Sequence, residues 1–145
     1  MALQDLLDLS QQRKKVGLSE ERVNAIVPEA RKYIAFWREY PDLFVDFLLT
    51  CGNPQNFKFY FYQRVFLRAA MRHQYMYAVF PRAYSKSFLS MMVLMIRCVL
   101  YPKCKLFVTS GGKEQAAGIM KEKVQEICTL IPAFKKEIDW QRGKT

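Results

Sequence analysis

AVFPRAYSKSFLS, residues 78–90, sets a Lys-Ser pair between two apolar runs. A phosphate-binding loop ends in such a pair, with one glycine directly before the lysine and a second five residues earlier. Ser85 and Phe80 occupy those two places here. The loop works by aiming backbone N–H groups and a helix N-terminus at phosphate oxygens. Its lysine adds a point charge, and the hydroxyl that follows holds magnesium. Lys86 and Ser87 fit that pattern; the missing glycines do not, because glycine takes positive φ freely and lets a phosphate approach the chain. A serine held in left-handed geometry costs on the order of 1 kcal/mol, which is small beside the attraction of a multiply charged ligand. An ordinary strand-to-helix turn has the same residues. Arg82 favours the loop: it and Lys86 place two cations at the ends of one short segment, where they suit a γ-phosphate.

The flanks set the expected fold. YMYAVFP, 75–81, is apolar on both faces and reads as a central parallel strand. SKSFLSMMVLMIRCVLY, 85–101, reads as a helix apolar nearly all round, and KLFVTS, 105–110, as a second buried strand. GGKEQAAGIMKEKVQEICTL, 111–130, is an amphipathic helix with Ala116, Ile119, Met120, Val124 and Ile127 inward, ended by Pro132. Strand, helix, strand, helix with short links predicts a parallel sheet with right-handed crossover. Ligands in such sheets bind at the carboxyl ends of the strands, where 81–87 and 109–114 fall. The expected class is α/β: a P-loop NTPase sheet with helices on both faces.

Upstream, LQDLLDLSQQRKK reads as a helix with Leu3, Leu6, Leu7 and Ser10 on one side, ended by Gly17. Ser19 caps the next, with Glu20 and Glu21 in its first turn. Pro28 opens a helix over PEARKYIAFWREY; Pro41 closes it and starts PDLFVDFLLT. CGNPQN, 51–56, gathers turn formers and marks the boundary between an N-terminal helical segment, 1–52, and the first part of the ATPase domain, 53–145. A helix is expected from about Tyr60 to Arg72, with Val65, Phe66, Ala69 and Ala70 at helical spacing.

Of the 145 residues, 51% are hydrophobic and 25% charged, a folding composition. Lys and Arg outnumber Asp and Glu by 23 to 13, a net of +10. That surplus attracts polyanions, nucleic acid before anionic membrane, and the basic residues are too scattered for a membrane surface. Cys51, Cys98, Cys104 and Cys128 form no C-x-x-C pair, and His73 is the one histidine, so zinc has poor ligands. The most apolar segment, FLSMMVLMIRCVLY, falls short of the ~20 residues a bilayer needs and includes Arg97. MALQDLLDLSQQ has Asp5 and Asp8 where a secretory leader needs basic residues and then an apolar run, which points to a reducing, cytosolic compartment. Gly143-Lys144-Thr145 repeats the lysine motif but follows no strand and opens no helix.

WREYPDLFVDFLL, FYQRVFLRAAMRHQYMYAVFPRAYSKSFLS and KLFVTSGGKEQA together resemble the N-terminal ATPase of a tailed-bacteriophage terminase large subunit. The likeness spans about residues 34–140. Its most specific part is Gln63 some twenty residues before an Arg-containing, glycine-poor loop, followed by a Ser-Gly-rich segment. Ser85 in place of glycine departs from the family pattern. The resemblance implies a RecA-like motor that hydrolyses ATP, with Mg2+, to drive double-stranded DNA into an empty capsid. It also implies portal protein and small terminase subunit as partners, a ring homo-oligomer, and the cytoplasm of an infected or lysogenic bacterial host. Carried over, Gln63 would read the adenine edge, with Tyr62 and Phe61 stacking nearby. Arg82 would contact the γ-phosphate, Lys86 the β- and γ-phosphates, Ala83, Tyr84 and Ser85 would wrap them, and Ser87 would hold magnesium. Ser110 and Gln115 would couple the site to DNA, unless Ser110 simply caps a helix. The family's acidic strand and nuclease half have no counterpart here, and Glu137 and Asp139 lie in a charged tail. The chain is therefore expected to be the front of a longer protein, inactive alone in ATP turnover. A helicase-like translocase, or a non-enzymatic DNA-binding or protein-interaction module, are the alternatives.

Overall fold

The computed structural model describes residues 20–137. Those residues form α1 (Glu20–Glu39), α2 (Pro41–Thr50), α3 (Phe61–Arg72), α4 (Lys86–Leu100), α5 (Lys113–Leu130) and α6 (Pro132–Glu137). The chain divides into two compact units, residues 1–35 and 36–145. In the first, α1 continues through Pro28 where the sequence suggested a new helix. Interior proline removes one backbone bond and crowds the preceding turn. Strong helix formers on both sides, Glu20 and Glu21 before and Glu29, Ala30 and Arg31 after, carry the helix across. The expected helix ended by Gly17, and the Ser19 cap, lie outside the described residues.

The second unit is built around α4. Leu89, Met92 and Ile96 are fully enclosed, and Phe88, Met91, Val93, Met95 and Leu100 are buried beside them. Fully burying a side chain of this size contributes about 1.5–3 kcal/mol, and this helix supplies eight of the seventeen buried apolar side chains among the described residues, more than any other element. It packs between α3 and α5, while α2 lies on α3 and α6. Phe134 of α6 is enclosed and meets Phe44 of α2 edge-on, with ring centroids 6.5 Å apart. Pro41 opens α2 as expected, and the α2–α3 link turns at Asn53, whose side chain accepts from the Phe57 N–H at 2.6 Å and donates to its carbonyl. Among the described residues no helix is long and apolar enough to cross a membrane.

The expected parallel sheet is absent: among the described residues there is no β-strand, and the arrangement is all-helical. Among the described residues, segments 75–81 and 105–110 form no backbone ladder with each other or with any other segment. Tyr75, Tyr77 and Val79 are 86%, 93% and 79% exposed, the reverse of a strand covered on both faces. Only Phe80 reaches the interior, edge-on to Phe66 at 5.3 Å. In the second segment Leu106 and Val108 are half-buried, while Lys105, Phe107 and Thr109 are exposed. The physical reason is that an apolar run becomes a strand only when neighbours take up its backbone donors and acceptors. The helices supply none. The α/β P-loop class is thereby replaced by a helical unit in which two apolar connections flank α4.

Candidate functional site

The loop before α4 answers the question of the missing glycines. Ala83 and Ser85 both adopt left-handed backbone, with φ of +67° and +51°. Ser85 takes the conformation that glycine would take at no cost. The first intrahelical bond of α4 runs from the Leu89 N–H to the Ser85 carbonyl at 2.9 Å, and no side chain caps the helix. The amides of Lys86, Ser87 and Phe88 therefore precede the helical bonding pattern. The first turn holds no acidic residue and begins with Lys86. Acidic side chains usually offset the positive end of a helix dipole; the first turn of α4 supplies none. Arg82 and Lys86 are both exposed, and Ser87 is half-buried.

Tyr62, at the start of α3, meets Tyr84 of this loop with ring centroids 5.3 Å apart. Tyr60 extends the row, stacked on Tyr62 at 6.1 Å and 10°, and is 70% exposed. Two segments distant in sequence are thus joined by three tyrosine rings. Phe61 is 83% exposed and contributes no ring contact among the described residues. Gln63 is placed differently from the expected adenine reader. It is 4% exposed; its Oε1 accepts the Tyr60 N–H at 3.0 Å and its Nε2 donates to the Tyr62 hydroxyl at 3.4 Å. Both ends of the amide secure the opening of α3, the returning half of a capping box. Phe57 packs on Phe88 at 5.9 Å, tying the chain before α3 to the first turn of α4.

Ser110 is exposed, and Gly112 rather than Ser110 occupies the N-cap of α5. Gln115 lies in the first turns of that helix; its side chain, like Asp139 and residues 143–145, is outside the described residues. The donor set at α4 suits a phosphate: three unbonded first-turn amides, two cations and a hydroxyl. Among the described residues no group of three or more His, Cys, Asp or Glu gathers to hold a metal. Magnesium here would rest on the Ser87 hydroxyl together with phosphate oxygens.

A second polar cluster was missed by the sequence reading. Asp42, fully buried in the first turn of α2, accepts from Arg68 Nε at 2.7 Å and Nη2 at 2.9 Å, and from Arg64 Nη1 at 3.1 Å. Arg64 also forks onto Asp46 at 2.6 and 3.1 Å, and Arg72 pairs with Glu39. Burial by itself would raise the Asp42 pKa, but the hydrogen bonds from Arg68 and Arg64 outweigh it and hold the carboxyl below its ordinary range. The signal was present: Asp42 and Asp46, and Arg64, Arg68 and Arg72, each repeat every four residues along one helix face. These pairs cancel one for one, so the +10 surplus resides on other residues. Comparison with protein-family models, curated proteins and solved structures returned no match to this chain.

Proposed function

We propose that the openings of α3 and α4 form a nucleoside triphosphate site of an ATP-driven, terminase-type motor that packages double-stranded DNA. What supports the phosphate grip is the start of α4, not a sheet. First-turn amides of α4, with Lys86 and Arg82, would hold phosphate oxygens, Ala83, Tyr84 and Ser85 would shape the approach, and the Ser87 hydroxyl would hold magnesium. ATP, once bound, supplies the phosphoanhydride whose cleavage releases energy. The tyrosine row offers ring faces on which a base could stack. Gln63 reads adenine only after giving up the Tyr60 N–H. Double-stranded DNA, portal protein, the small subunit and ring assembly belong to the same proposal.

The observation that carries it is the Tyr62–Tyr84 contact, because it brings the Gln63 segment against the Arg82–Ser87 loop. The test is thermal denaturation with and without Mg-ATP. ATP at a hundredfold excess over its dissociation constant stabilises by about 2.7 kcal/mol, and Lys86→Ala should remove most of that shift. An identical shift in Lys86→Ala removes the lysine from the site, and no shift in the unsubstituted chain rejects the nucleotide reading. The exposure of Tyr75, Tyr77 and Phe107 favours a second reading, a non-enzymatic DNA-binding or protein-interaction module. That reading predicts salt-sensitive DNA binding indifferent to Lys86→Ala.

A further inference from the structure

We propose that Cys98 and Cys104 are a redox-responsive thiol pair that closes into an intramolecular disulfide at the end of α4. Cys98 sits in the last turn of α4, and both cysteines are exposed. The chain after the helix folds back on itself. Tyr101 N–H donates to the Arg97 carbonyl at 2.9 Å, and Cys104 N–H donates to the Tyr101 carbonyl at 3.2 Å. Lys103 makes the reversal possible with a φ of +66°. As a result the Cys104 thiol lies over the helix end, donating to the Arg97 carbonyl at 3.5 Å, beside the Cys98 thiol. Partial burial and then this neighbouring thiol raise the Cys98 pKa, which lowers its thiolate fraction, so closure is faster as pH rises.

The turn is held from a second side. Arg38 donates to the Leu100 carbonyl at 2.6 and 3.0 Å, and its guanidinium lies 4.4 Å from the Tyr101 ring. The two sulfurs are therefore kept as neighbours rather than meeting by chance. The oxidant is a small-molecule disulfide. One cysteine, as thiolate, attacks it to form a mixed disulfide and expel one thiol; the second then displaces the other half. Two protein thiols and one small disulfide give one protein disulfide and two small thiols. The product pins the turn that leads into segment 105–110.

The full chain is incubated with oxidised glutathione, and its tryptic peptides are mapped without reduction. The expected result is a monomer in which the Cys98 and Cys104 peptides are joined to each other and carry no glutathione, whatever the exposed Cys51 takes up, and dithiothreitol restores four free thiols. Cys104→Ser leaves Cys98 carrying glutathione. Lys103→Pro keeps both thiols but forbids the left-handed turn, so closure falls at least tenfold in rate. Glutathione retained on both Cys98 and Cys104 overturns the proposal, as does cross-linking through Cys51 or Cys128, or closure at an unchanged rate in Lys103→Pro.

Discussion

Glycine restored at the two places where a phosphate loop normally has it should act in opposite directions. Ser85 holds a φ of +51°, a conformation costing an L-residue about 1–2 kcal/mol. Glycine removes that cost but loses about 0.5–1 kcal/mol through the greater freedom of its unfolded chain. Ser85→Gly should therefore stabilise by about 0.5–1 kcal/mol, a rise of about 2–3 °C in Tm for a chain of this size. No side-chain hydrogen bond of Ser85 is lost, since α4 carries no side-chain cap. Phe80 stands at the other position, where its ring meets Phe66 edge-on at 5.3 Å. Phe80→Gly loses that half-buried ring and should destabilise by about 2–3 kcal/mol. Urea titrations of the two variants beside the parent, with equal m-values required, give both numbers. Destabilisation by Ser85→Gly would refute the left-handed assignment, and with it the idea that a serine can take over the glycine's geometric task.

The buried clasp between α2 and α3 gives two further expectations. Asp42→Asn leaves Arg64 and Arg68 without their shared carboxylate and should cost about 3 kcal/mol, at the low end for a broken buried pair because both arginines are partly exposed; chemical denaturation reads it directly. Because the folded-state pKa of Asp42 is depressed, its contribution is fully present above the unfolded value near ~4 and is lost as pH falls through the lower folded value. Stability measured from pH 6 down to pH 2 should drop more steeply in the parent than in Asp42→Asn.

Local sequence located what depends on local chemistry. Pro41 starts α2, Pro132 follows the end of α5, and the helix expected from about Tyr60 begins at Phe61, because first-turn proline and helical apolar spacing act within a few residues. The loop before α4 was legible for the same reason, since Ser85 stands where left-handed backbone is required. Segment 75–81 was not legible, because an apolar run is equally a strand or an uncovered connection until its neighbours are known. Gln63 shows the same limit on a smaller scale: its amide suits an adenine edge or a helix start, and the Tyr60 N–H lies three residues away and gets there first. The Arg64 and Arg68 clasp needed the pairing of α3 with α2, a tertiary fact that neither helix carries alone.

The uncovered stretch around Tyr75 and Tyr77 has a consequence for how molecules of this protein meet. A bare apolar backbone invites another copy to lie alongside it. Arg82 stands just after the stretch, and every molecule carries the same positive excess, so mutual repulsion keeps copies apart in dilute buffer. Molar salt shrinks the reach of that repulsion to about 3 Å. The protein should then cluster as salt rises, the opposite of what strongly charged surfaces without such a stretch would do on losing an oppositely charged partner.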